Sequence, residues 1–248
     1  MYSAEYANHE LAQLLITTAT SWGLALTDDQ LARFAQYAHE LLLCNEKINL
    51  TAITEPEAIY RRHFLDSLSC ARFWGDTPIR LIDIGSGAGF PGIPLKILRP
   101  ELHLTLVESV GKKAAFLEHI TRMLYLDHVR ILSARAEEVG RDSQHREHYD
   151  VAVVRAVADL RVLAEYCLPL VRVGGRMLAP KSLAAHAEID AANSAIQLLG
   201  GNAPYLENVT IPGLETRLMV VVTKALPTPA AYPRAVGVPA KKPLDPKT

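Results

Sequence analysis

Two hydrophobic periodicities divide the chain. Before residue 75 the apolar positions recur at intervals of three and four: Leu11, Leu14 and Leu15, with Thr18 on the same stripe, then Leu31, Phe34, Ala35, Ala38, Leu41 and Leu42. That spacing places one apolar stripe on a helix. Thr27-Asp-Asp-Gln30 supplies a hydroxyl at the start and an amide three residues on, the two halves of a capping box. The pattern predicts a helix over 28–44, another ending before Gly23, and further helix over Glu57–Phe73. With no strand signal in this stretch, residues 1–75 are expected to form an N-terminal helical cap.

From Ile79 short apolar runs alternate with helical segments. Strands are predicted at 79–84, 103–108, 129–133, 149–155 and 174–181, with helices at 92–98, 112–124, 159–170 and 184–199. Two more strands, 203–211 and 217–224, flank a turn at Pro212-Gly213 and read as an antiparallel pair. Alternation of this kind calls for an α/β fold, here a Rossmann-like seven-stranded, mostly parallel sheet covered by helices on both faces. The expected core domain is 76–226. Beyond it, residues 227–248 hold six of the fifteen prolines together with Arg234, Lys241, Lys242 and Lys247. Proline removes a backbone donor, so this tail is expected to extend neither strand nor helix and to be a loosely ordered basic segment.

Composition narrows the setting. A chain of 248 residues that is 49% hydrophobic and 21% charged is of ordinary globular make-up. A net charge of −1 excludes a broadly basic coat for nucleic acid while leaving a local patch open. Cys44, Cys70 and Cys167 are odd in number and widely spaced, which fits neither a disulfide framework nor a zinc site of paired thiolates. No metal is expected. There is no basic leader followed by an apolar run and no apolar stretch of the roughly 20 residues that span a bilayer. A cytoplasmic protein without a membrane partner is the expectation.

The chemistry concentrates in Leu81-Ile-Asp-Ile-Gly-Ser-Gly-Ala-Gly-Phe-Pro-Gly92. An apolar strand that ends in Asp83-Ile-Gly85 and turns through Gly87 and Gly89 into a helix lets a ligand approach bare backbone. Gly87-x-Gly89-x-x-Gly92 also matches a dehydrogenase fingerprint, which by itself is weak. The glycine spacing counted from Gly85, the acid at Asp83, and Pro91 and Pro94 at the helix entry favour S-adenosylmethionine, which has no pyrophosphate to hold. Glu108 ends the second strand 23 residues after Gly85 and is expected to grip the ribose hydroxyls. Ala136 and Glu137 are expected at the adenine edge. Arg155 ends the fourth strand, and an arginine there faces the cleft, against the methionine carboxylate, the substrate or an acid such as Asp83.

Two absences bear on the acceptor. Amino-group methyltransferases often carry Asn/Asp-Pro-Pro-aromatic at the end of this strand, where the chain reads Val154-Arg-Ala-Val157. No cysteine follows it for pyrimidine C5 chemistry, and Cys167 reads as core. An acceptor with a free lone pair, such as a ring nitrogen, fits what remains, because displacement at a sulfonium methyl needs alignment more than a base.

The loop Asp83–Pro94, with Asn49-Leu-Thr-Ala-Ile, Arg62-His-Phe-Leu-Asp-Ser67, Arg135-Ala-Glu-Glu138 and the terminal Tyr232-Pro-Arg…Leu244, resembles the RsmG (GidB) family of bacterial methyltransferases of small-subunit ribosomal RNA. The resemblance implies a class I S-adenosylmethionine-dependent methyltransferase that modifies N7 of one guanine in the decoding-region loop of 16S ribosomal RNA, acting on that RNA or a small-subunit precursor, with a monomer favoured. Donor contacts would fall at Gly85, Phe90, Ala136, Glu137 and Arg155. Val154 stands where serine is common, and Thr216-Arg-Leu replaces Glu-Arg-His. Arg61, Arg62, His63 and Asp66 lie in the cap beside the loop, where they would meet RNA phosphates or brace the site. Arg155 as an orienting group and His63 are the candidate catalytic residues, and Lys181, Lys241 and Lys242 are further phosphate candidates. A small-molecule methyltransferase and a non-catalytic ligand sensor are the competing readings.

Overall fold

The computed structural model describes residues 2–75, 79–155 and 158–245. The cap begins with helices α1 (Tyr2–Ser21) and α2 (Asp28–Ile48). The Thr27 capping box closes in both directions: Gln30 N donates to Thr27 Oγ1 at 3.3 Å and Thr27 N to Gln30 Oε1 at 2.9 Å. The Gln30 amide then donates to the carbonyls of Ile97 and Leu98, each at 2.9 Å, which ties the cap to carbonyls at the end of a helix of the α/β core. The expected helix over Glu57–Phe73 is broken into pieces. α3 (Pro56–Ile59) runs into a π-helical turn at Tyr60–Leu65, then α4 (Asp66–Leu68) and a 3₁₀ turn at Ser69–Phe73. Short π segments re-aim side chains and are frequent at functional sites.

The sheet comprises β1 (Arg80–Ile84), β2 (His103–Val107), β3 (Val129–Leu132), β4 (Tyr149–Val154), β5 (Val171–Ser182), β6 (Tyr205–Val209) and β7 (Arg217–Thr223), in spatial order β3-β2-β1-β4-β5-β7-β6. β1 to β5 are parallel, and β7 is antiparallel to both β5 and β6. Helices α5 (Gly92–Leu98), α6 (Gly111–Met123), α7 (Ala136–Arg141), α8 (Leu160–Cys167) and α9 (His186–Leu198) connect the strands. α7 was not expected from the sequence, being a single short element with few apolar positions to reveal a period. Strand order reverses beside β1, and α/β sheets bind ligands at the carboxyl ends of the strands flanking such a point.

Alternation along the strands supplies two apolar faces. Leu81, Leu104, Leu106 and Val153 pack with Phe34, Tyr37, Leu41 and Phe64 of the cap in one continuous cluster. Ile82, Ile84, Ala152 and Val154 pack with residues of α8 and α9 on the other face. The cap is therefore built on the sheet's own core.

The tail corrects its expectation. It packs along α7 and α8, carries a one-turn helix α10 (Val238–Lys241), and buries Leu244. Its prolines cannot donate, but their neighbourhood accepts. Arg146 donates to the carbonyls of Thr228 and Tyr232 at 2.7 Å each, and Arg141 to that of Pro233 at 2.8 Å. Arg234 meets the fully buried Glu165 through Nε, Nη2 and its own backbone N–H, at 2.7–2.9 Å for the closest contacts.

Candidate active site

The three loop glycines Gly85, Gly87 and Gly89 have φ of 69°, 59° and 96°, the left-handed region open to glycine. They divide into two kinds. A Cβ on Gly85 would meet nothing within 4 Å, whereas a Cβ on Gly89 would stand 2.5 Å from Ile93 Cδ1 and 2.7 Å from the Tyr37 hydroxyl. Gly92 is equally tight, with Asp83 Oδ2 2.8 Å from such a Cβ. Gly89 and Gly92 are packed against neighbours that leave no room for a side chain, whereas Gly85 faces open space.

That space is a cavity of about 340 Å³ at the carboxyl ends of β1, β2 and β4, within the range of about 300–1,000 Å³ usual for small-molecule sites. Ile84, Val107, Val154 and Leu163 give it apolar walls, and Gly85, Glu108, Ala136 and Glu137 also line it. Its apolar walls and two carboxylates suit a nucleoside with ribose hydroxyls and a cationic sulfonium arm. Val236, Gly237 and Ala240 close one side. This contribution of the tail was invisible in the sequence, where prolines mark only what the segment cannot pair with.

The acids are positioned by backbone. Glu108 Oε2 accepts from Gly87 N at 2.9 Å and Oε1 from Val110 N at 2.8 Å, so the expected ribose clamp also holds the glycine loop closed. Glu137 Oε1 accepts from Gly237 N at 2.8 Å, which commits one of the oxygens expected at the adenine amine. Asp83 corrects its expected place at the donor. Strand alternation turns it away from the cavity, where it is fully buried, with Oδ2 accepting from Gly92 N at 2.9 Å and Oδ1 unpartnered. Burial pushes its carboxyl up to about 7, against the Gly92 hydrogen bond and the Arg155 charge, which pull it down.

Phe90 and Arg155, expected at the donor, also lie outside that cavity. Phe90 stacks between Tyr37 and His63, with centroids 5.2 and 4.3 Å away, and the Arg155 guanidinium sits 5.0 Å from its centroid. Arg155 donates to the Arg62 carbonyl at 2.7 Å, contacts Asp66 Oδ2 at 3.4 Å and places Nη2 3.0 Å from His63 Nδ1. Its acid partner is thus Asp66 rather than Asp83, and Asp66 Oδ1 lies 3.3 Å from Arg217 Nε. His63 Nε2 lies 2.9 Å from Thr51 Oγ1. Burial, reinforced by the Arg155 charge, holds the His63 imidazole down at about 3. A neutral ring with both nitrogens engaged is placed to brace Arg155.

Arg62, His63, Asp66, Arg155 and Arg217 line a second cavity of about 560 Å³ between the cap and the turn before β7. Val154 lines the first cavity and Arg155 the second, so consecutive residues at the end of β4 separate the two. Arg217, marked in the sequence only by the Thr216-Arg-Leu departure, shares the buried carboxylate of Asp66 with Arg155.

The remaining basic candidates scatter. Arg61 pairs with Glu57 at 2.7 Å and donates to the Pro212 carbonyl, bracing the turn before β7. Lys181 donates to the Ala158 carbonyl and Glu188 at 2.6 and 2.7 Å. Lys241 and Lys242 are exposed on the tail. Away from both cavities, Glu40, Cys44 and His119 bring one ligand atom each within 4.8 Å of the others, and the Glu40–His119 contact at 2.9 Å joins α2 to α6. Among the described residues no helix is long and apolar enough to cross a membrane.

Comparison with known proteins agrees with this geometry. The model of the family GidB, rRNA small subunit methyltransferase G, matches residues 30–215. A Ribosomal RNA small subunit methyltransferase G of Roseiflexus castenholzii is 62% identical over 230 residues, 93% of this chain and 98% of that protein. The protein of the same name from Exiguobacterium sibiricum is 43% identical over 234 residues, 94% of this chain and 98% of that one. Among solved structures, the precorrin-6y C5,15-methyltransferase of Geobacter metallireducens shares the fold with a TM-score of 0.51 at 13% identity, covering 73% of this chain and 96% of that one. The departures at Val154 and Thr216 leave the glycine loop and both cavities in place, and the chain belongs to the GidB family of small-subunit ribosomal RNA methyltransferases, enzymes that use S-adenosylmethionine.

Proposed function

We propose that this enzyme transfers a methyl group to N7 of one guanine in the decoding-region loop of 16S ribosomal RNA. The observation that carries the reading is the pairing of two cavities across one strand end: an apolar-walled one lined by Val154, and a charged one lined by Arg155, Arg62 and Arg217 together with Asp66 and Glu215. S-adenosylmethionine supplies an electrophilic methyl on sulfonium when bound. Gly85, Glu108, Ala136 and Glu137 would hold its nucleoside.

Guanine N7 has an in-plane lone pair and no proton. The lone pair forms the new C–N bond while the electrons of the broken C–S bond stay on sulfur, so no base is required. That agrees with a neutral, fully engaged His63 and with the lack of an amine-orienting motif after Val154. Arg155, held from four sides by Phe90, His63, Asp66 and the Arg62 carbonyl, is rigid enough to orient a guanine edge or its phosphate.

The test is methyl transfer from labelled donor to immature small subunits, deproteinised 16S RNA and free nucleosides, followed by chemical cleavage at N7-methylguanine to map the position. One modified guanine in the decoding-region loop is the expected result. Methylation confined to free nucleosides, or mapping to another atom, would overturn the reading.

A further inference from the structure

A third cavity, of about 350 Å³, opens at the amino-terminal ends of β1 to β4, the opposite end of the sheet from the glycine loop. The five residues of β1 put roughly 16 Å between the two at 3.3 Å per residue. Arg80, at the start of β1, and Arg130, on β3, line it, with His103 and His128 at the mouth and His145 and Tyr149 as a buried floor. Among the described residues no acidic side chain lines it.

The cationic groups converge. The Arg80 guanidinium lies over the Tyr149 ring, 5.8 Å from its centroid, and the charges of both Arg80 and Arg130 act on the Tyr149 hydroxyl and the His145 imidazole, opposed by the Asp142 carboxylate. His145 Nδ1 and the Tyr149 hydroxyl are joined at 2.6 Å, and Tyr149 donates onward to Thr105 at 3.3 Å, so the floor is ordered. Two carboxylates of neighbouring segments are engaged elsewhere. Asp150 accepts from the Arg80 backbone N–H and from Arg172, and Asp142 from Gln144 N. Among the described residues neither Arg80 nor Arg130 has a carboxylate partner. Two guanidiniums aimed into one cavity with a hydroxyl and an imidazole at its base are the donor set that recognises phosphate oxygens.

We infer that this cavity is a phosphate-binding site, with Arg80 and Arg130 as its ligands, and that it takes a backbone phosphate of the RNA remote from the methylated base. The RNA source rests on the RNA methyltransferase reading; free phosphate is the other source of the same chemistry. Contact at both ends of the sheet would let the enzyme register a folded RNA surface before the base reaches the donor.

The experiment measures affinity of the full chain for a fluorescent 16S RNA fragment across a salt series, and for inorganic phosphate by imidazole NMR shifts, with and without Arg80→Gln and Arg130→Gln together. S-adenosylmethionine binding and thermal unfolding report that the variant is folded, and a variant that fails this is replaced by the single Arg130→Gln. RNA affinity is expected to fall about tenfold, with the slope of log K against log salt reduced by about one. Loss of phosphate binding with RNA affinity unchanged assigns the site to free phosphate. No change in either overturns the proposal. RNA that binds through Arg80 and Arg130 but is never methylated counts against the RNA methyltransferase reading and leaves the phosphate site standing.

Discussion

Arg155 Nη2 lies 3.0 Å from His63 Nδ1, and a guanidinium can only donate. The contact therefore assigns the lone pair of the imidazole to Nδ1 and its proton to Nε2, which faces Thr51 Oγ1 at 2.9 Å. One hydrogen bond sets both the tautomer of the histidine and the position of the arginine between the two cavities.

His63 should consequently stay neutral far below the ordinary histidine range. Its ring protons, followed by NMR, are expected not to titrate between pH 8 and pH 5, since its value lies at about 3 against 6.5 for a free imidazole. Because the unfolded chain binds this proton first, the group's contribution to stability is complete above about 6.5 and is lost as pH falls toward 3. Titration near 6.5 would remove His63 from the Arg155 support.

Asp83 works in the other direction. Its folded value of about 7 is above the ordinary 3.8, so the folded state holds the proton more tightly and stability falls as pH rises through that window. Asp83→Asn should flatten this dependence, with the wild type losing roughly 2 kcal/mol relative to the variant between pH 5 and pH 8, read by denaturant unfolding at each pH. Parallel curves would show that the carboxyl finds a compensating partner.

The loop glycines should separate by phenotype. Gly85→Ala leaves room for its methyl, costs about 1 kcal/mol of backbone strain at φ 69°, and is expected to weaken donor binding at least tenfold because the methyl enters the cavity. Gly89→Ala collides with Ile93 and Tyr37 and should instead lower the unfolding temperature. Calorimetric titration with S-adenosylmethionine and thermal scans of both variants distinguish the two outcomes, and a reversal would misassign the cavity.

Arg234→Ala leaves the Glu165 carboxylate buried without its guanidinium, with only the backbone N–H of residue 234 still donating to it. Removing one member of such a pair costs on the order of 3 kcal/mol. Loss of the tail's anchor should also weaken donor binding, through Gly237 and its hydrogen bond to Glu137. A destabilised variant with unchanged donor affinity would restrict the tail to a structural part.

The apolar spacing along 28–44 and the alternation after Ile79 determined the helices of the cap, the strands and the α/β class, because period and capping are local properties. Gly85 and Glu108, which line the first cavity, could be singled out for the same reason, since a glycine loop and an acid at a strand end are written in consecutive residues; Glu137, also on its lining, stands in α7, which the sequence did not reveal. Tertiary structure alone decided the rest. Asp83 and Glu108 are both acids at the ends of strands, yet strand alternation buries one behind the loop and turns the other to the cavity. His63 and Arg155 are 92 residues apart, and only packing of the cap on β4 converts a plausible acid–base histidine into a neutral brace. The tail reads as loosely ordered from its prolines, yet it is held by partners that lie elsewhere, the donors Arg141 and Arg146 and the acceptors Glu137 and Glu165. Sequence specifies what each segment can offer; which offers are taken depends on partners brought together only when the chain closes on its core.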